Sequence, residues 1–110
     1  MPTVTVYYQK TKDFKNLQAL VPHMKKYFAK TLTCGDIRLT PNEISIRCVE
    51  TKGQGMIGDV EVEIKAHAFM ERVKKQDKLC RDAAAFIEKE IPSLRSVKVW
   101  LQLSELGHSW

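Results

Sequence analysis

Residues 3–9 alternate with a period of two: Val4, Val6 and Tyr8 fall on one side, and Thr3, Thr5 and Tyr7 on the other. That is the pattern of a strand with one buried face. From Asp13 to about Leu32 the spacing lengthens to three and four residues, through Phe14, Leu17, Leu20, Val21, Met24, Tyr27 and Phe28, which predicts an amphipathic helix of about five turns. Pro22 lies inside this stretch and predicts a kink or a late helix start, because it lacks an N–H and its ring crowds the preceding turn. Cys34-Gly35 and Leu39-Thr40-Pro41-Asn42 then punctuate the chain.

Alternation returns over Glu43–Glu50, with Ile44, Ile46 and Cys48 opposite Ser45, Arg47 and Val49. Lys52–Gly58 carries three glycines and reads as a flexible connector. Asp59–His67 is a third strand, with Val60, Val62, Ile64 and Ala66 opposite Glu61, Glu63, Lys65 and His67. A second helix is predicted from about Met70 to Glu90, with Val73, Leu79, Cys80, Ala83, Ala84, Ile87 and Ile91 on its apolar stripe and Pro92 closing it. The fourth strand sets Val97, Val99, Leu101 and Leu103 against Lys98, Trp100, Gln102 and Ser104.

The element order is β-α-β twice over, an α+β chain with pseudo-repeats at about 2–50 and 58–104. Each β-α-β unit needs a crossover that lays its helix on one face of the sheet. This predicts a four-stranded mixed sheet with both helices on one side. The other face then holds Thr5, Tyr7, Ser45, Arg47, Glu61, Glu63, Lys65, Lys98, Trp100 and Gln102. Such a face is either solvated or covered by other subunits.

The totals narrow the class. At 110 residues the chain has the size of a single domain spanning residues 1–110, and with 44% hydrophobic and 28% charged residues it falls in the range of globular proteins. It shows neither an apolar leader nor a membrane-length apolar run, so a cytoplasmic protein without membrane contact is expected. Cys34, Cys48 and Cys80 are widely spaced and odd in number, which fits idle thiols rather than a disulfide framework or zinc site. The net charge of +5 would suit an anionic partner, but much of it sits on helical lysines, a pattern that ordinarily makes a solvated face.

No Walker loop, dinucleotide fingerprint, nucleophile elbow or zincin motif occurs, and His23, His67 and His108 have no ligand partner at fixed spacing. What stands out is Pro2 directly before a strand, the doubled β-α-β order, and a cationic residue, Arg47, on the second strand. In these features the chain resembles the tautomerase superfamily, which includes 4-oxalocrotonate tautomerase, 5-carboxymethyl-2-hydroxymuconate isomerase and macrophage migration inhibitory factor. Val49-Glu50-Thr51 and the glycine-rich connector after it resemble the corresponding stretch of the hydroxymuconate isomerase branch.

The resemblance implies a homotrimer and cofactor-independent, metal-free chemistry on a small carboxylate-bearing keto-enol substrate. Pro2 would be the general base. An α-amino group titrates near pKa ~7.7–8.0, and burial beside cations lowers it, so a neutral amine is present at working pH. With Met1 attached, Pro2 is an amide and has no basic lone pair, so the chemistry requires removal of Met1. Arg47 is the candidate to grip the carboxylate in a bidentate fork, with Arg38 at the pocket mouth and the tail residues His108 and Trp110 as further binding candidates.

Two points stay open at this level. Anchoring on Val49-Glu50-Thr51 shifts the family's strand-two arginine toward Ser45, which leaves Arg47 equally suited to pair with Glu61 or Glu63. Its loss would favour a non-catalytic or repurposed tautomerase-fold oligomer. The same element order also fits ferredoxin-like binding modules. The RNA-binding form of those is disfavoured, because the third strand is acidic on its polar face and lacks the aromatic platform.

Overall fold

The structure, a computed structural model, describes residues 2–35, 37–53 and 55–105. The four alternating segments form strands β1 (Thr3–Tyr8), β2 (Ser45–Glu50), β3 (Val60–His67) and β4 (Val97–Ser104). They join in one sheet of order β2-β1-β3-β4. β1 runs parallel to β2 and antiparallel to β3, and β3 runs parallel to β4. The mixed α+β sheet predicted from the doubled order is the one observed.

Between β1 and β2 runs α1 (Thr11–Leu32); between β3 and β4 run α2 (Met70–Lys74) and α3 (Gln76–Glu90). Register carries the alternation across the sheet. Val4 and Val6 lie opposite Ile64 and Val62, which lie opposite Leu101 and Val99. Leu17, Leu20, Met24 and Phe28 of α1 and Leu79, Ala83 and Ile87 of α3 pack on this row, so both long helices cover the same face. Each buried aliphatic side chain there contributes roughly 1.5–3 kcal/mol by leaving water.

Three local expectations are corrected. Pro22 does not delay α1, which starts at Thr11 and runs to Leu32 as one helix. The proline sits on the solvent side, where the carbonyl deprived of its N–H partner can bond water. The second helix is not continuous from Met70 to Glu90. It is interrupted at Lys75, whose backbone (φ −111°, ψ 12°) leaves the α region. The interruption turns α2, so Val73, placed on the apolar stripe by its spacing, is 41% exposed, while Arg72 is buried at 4%.

Candidate functional site

Pro2 stands at the head of β1, one of the two inner strands. It is buried, and its carbonyl accepts the Ser45 N–H at 3.1 Å, which ties the start of β1 to the start of β2. Thr3 is flanked by Ser45 on one side and by Lys65 on the other. Carrying the alternation of β1 back one residue puts Pro2 on the side of Val4 and Val6, under the helices.

Arg47 is placed otherwise. It pairs in register with Thr5 and lies on the open face, three residues along the strand from Pro2, or about 10 Å. Within one chain the fold therefore does not bring Pro2 and Arg47 together, and Ser45 is the β2 residue beside the proline. Nor does Arg47 pair with an acid among the described residues. Glu63 meets Lys65 at 3.7 Å, and Glu61 accepts the Ile57 N–H at 2.6 Å. The open face shows a row of Arg47, Thr5, Glu63 and Trp100 across all four strands. Tyr7 and Trp100 belong to that face and not to the side on which Pro2 lies.

Arg38 is exposed in the connection from α1 to β2, which arrives at the Pro2 end of the sheet. There Gly35, at φ +54°, makes the turn that lets Cys34 and Ile37 bond each other. Pro41–Glu43 then forms a single 3-10 turn, in which the Glu43 carboxylate accepts the Thr40 N–H at 2.9 Å and the Thr40 hydroxyl at 3.1 Å. The two bonds, backbone first, hold the Glu43 carboxyl below the usual carboxylate range. His108 and Trp110 lie outside the described residues, as does Met1.

The residue that sequence patterning missed is Arg72. Its guanidinium donates to the carbonyl of Leu32, the last residue of α1, and to the carbonyl of His67, the last residue of β3. Its carbon also sits 4.9 Å from the centre of the Phe69 ring. Burial lowers its pKa from the usual guanidinium value, with Cys34 acting in the opposite sense. Next to it, Glu71 accepts the Gly35 N–H at 3.2 Å. These contacts hold the walls around the end of the sheet where β1 begins. An open cavity of about 380 Å³ lies there, lined by Cys34, Gly35, Ile37, Phe69, Met70 and Glu71. A helical spacing cannot reveal this arginine, because the carbonyl that takes two of its hydrogen bonds, that of Leu32, is 40 residues away in sequence.

Among the described residues, no group of three or more His, Cys, Asp or Glu side chains is placed to hold a metal ion. Nor is any helix long and apolar enough to cross a membrane.

No family model matches the sequence, and no curated protein matches it. Solved structures do. The F6 fused 4-OT, an asymmetric trimer, superposes with a TM-score of 0.70 at 13% identity, over 97% of this chain and 92% of that one. MIF2 of Leishmania major superposes at 0.56 with 14% identity, covering 100% and 93%. A macrophage migration inhibitory factor-like protein of Entamoeba histolytica does so at 0.56 with 13% identity, covering 98% and 93%. At these identities the likeness is one of backbone architecture, and it is shared along nearly the whole chain. This protein has the fold shared by the fused 4-OT and the macrophage migration inhibitory factor-like structures, the fold expected from its doubled β-α-β order.

Proposed function

We propose that this protein is a cofactor-independent tautomerase or isomerase, in which the amine of Pro2, freed by loss of Met1, acts as general base on a small carboxylate-bearing keto-enol substrate. The observation that carries the reading is the burial of Pro2 at the head of the inner strand β1 in a fold shared with 4-OT and MIF proteins. A buried secondary amine is harder to protonate than a solvated one, so it keeps a free lone pair near neutral pH. It would remove a proton alpha to the substrate carbonyl and return it at the far end of the conjugated system. A cation would hold the carboxylate and the developing enolate.

Within one chain Arg47 is on the wrong face for that task, so a neighbouring subunit or Arg38 would have to supply the cation. Among the described residues the polar face is uncovered and the outer edges of β2 and β4 are unpaired, which supports assembly with further copies, here proposed as a homotrimer, since an unpaired strand edge invites pairing. In this reading the protein is cytoplasmic.

The enzyme reading is tested by following ketonisation of phenylenolpyruvate with protein shown by mass spectrometry to lack Met1. Activity is expected, with loss of at least 100-fold in kcat/KM for Pro2→Ala. No activity in the verified material rejects it for such substrates. The placement of Arg47 away from Pro2 favours one second reading, a non-catalytic oligomer on the same scaffold. That reading predicts a trimer in light scattering together with no proline-dependent turnover.

A further inference from the structure

The net charge of +5 is not spread along the chain. Residues 1–35 hold six lysines and a single acid, Asp13, while the remaining residues hold 12 cationic and 12 acidic side chains. The whole excess therefore belongs to the first β-α unit. Asp13 is buried at 5%, so no carboxylate stands on the surface of α1.

Lys12, Lys15, His23, Lys26 and Lys30 are all exposed, and their spacings of three, four and seven or eight residues put them in one sector about 80° wide, at 100° per residue. The sector lies opposite buried Leu17, Leu20, Met24 and Phe28. From Lys12 to Lys30 the stripe is about 27 Å long. Among the described residues none of its lysines makes an ion pair. Lys12 with Lys15, and Lys26 with Lys30, are like-charge neighbours that oppose the helix.

α3, in the same helical layer, is different. Its exposed lysines are interleaved with Asp77, Asp82, Glu88 and Glu90, and Lys78 bonds Asp82 at 2.6 Å. That is an ordinary solvated face. The α1 stripe lacks those counter-charges.

We propose that the α1 stripe is a docking surface for the phosphodiester backbone of a nucleic acid, engaged by charge and without reading bases. A cation row one residue wide matches a linear polyanion. A flat anionic surface laid on the helical layer would also meet the carboxylates of α3. The one large exposed apolar residue of α1, Phe14, lies well off the stripe, so membrane insertion has no anchor there. Base recognition is absent from this scheme, since phosphate contacts position a protein without specifying sequence.

The experiment is an anisotropy titration of a labelled duplex of about 20 base pairs over a salt series, where log Kobs falls with log salt by ~0.9 for each phosphate neutralised. The four lysines predict a slope of about −3.6, independent of base sequence. The double variant Lys26→Gln/Lys30→Gln is expected to reduce the slope by about 1.8, while Lys74→Gln/Lys78→Gln in α2 and α3 leaves it unchanged. The proposal is overturned by no binding at low salt, by a slope indifferent to the α1 lysines, or by tighter binding of the same stripe to phosphatidylserine vesicles. These are surface changes distant from the core, and the readout is independent of any activity of Pro2.

Discussion

The guanidinium of Arg72 caps α1 from 40 residues away: Nε and one terminal nitrogen both donate to the Leu32 carbonyl, at 3.1 and 2.8 Å. The other terminal nitrogen donates to the His67 carbonyl at 3.0 Å. A helix leaves its last carbonyls without partners, and their aligned dipoles make that end partly negative. A buried cation is tolerated at this point because the carbonyls solvate it, with no carboxylate needed. Arg72→Met is expected to cost about 3 kcal/mol, the loss of charged hydrogen bonds together with unsatisfied carbonyls. Arg72→Lys keeps the charge but not the fork and should cost about half as much. Urea denaturation measures both; a change under about 1 kcal/mol for Arg72→Met contradicts the capping role.

Gly58, just ahead of β3, has no room for a side chain. A Cβ there would come within 3.0 Å of the Ser96 carbonyl oxygen and of Lys98 Cγ, and within 3.2 Å of the Val60 carbonyl oxygen. The lysine can move. The Ser96 carbonyl cannot move freely, since it accepts the N–H groups of Asp59 and Val60. Gly58→Ala should destabilise by about 1–3 kcal/mol, whereas Gly55→Ala, with nothing within 4 Å, should change stability by less than about 0.5 kcal/mol. Paired thermal melts of the two variants check the contrast.

Pro22 interrupts the hydrogen-bond ladder on the exposed side of α1 without bending the chain out of the helix. Pro22→Ala restores one N–H to the ladder and removes the ring from the turn before it. The expected gain is about 1–3 kcal/mol, less than the full proline penalty because the variant also frees the unfolded chain. A lower melting temperature would show that the proline is locally favourable.

Glu43 supplies a pH signature. Its folded-state pKa lies below the ordinary carboxylate value, so its contribution to stability is present above the unfolded pKa and fades as pH falls through the folded one. The carboxylate is close to solvent and the effect is small. Carbon-detected titration of Glu43 should show the lowered midpoint in the wild type, and Thr40→Ala should return it part of the way toward the usual value. Thr40→Ala removes the hydroxyl bond and keeps the backbone N–H bond, so the return is partial, and an unchanged midpoint would rule out the hydroxyl as a cause.

Alternation alone separates Pro2 from Arg47, although the sequence reading put both in one site. Pro2 shares its parity with Val4, and Arg47 is out of phase with Cys48, so once Val4 and Cys48 are both assigned to the core the proline and the arginine must part. What could not be read was how far apart they lie along the sheet. Sliding a strand by two residues leaves every side chain on its original face, so periodicity is blind to such a shift. Ser45, not Arg47, came to rest beside Pro2 because its N–H meets the Pro2 carbonyl.

By itself, then, the sequence determined the four strands, the two main helical stretches and the faces of the strands, because burial there follows the local period of the backbone. It also determined where the cationic excess lies. Tertiary structure alone decided the register between β1 and β2, the break at Lys75 and the burial of Arg72. The register and the burial of Arg72 depend on a backbone group far along the chain that must find a partner once water is excluded.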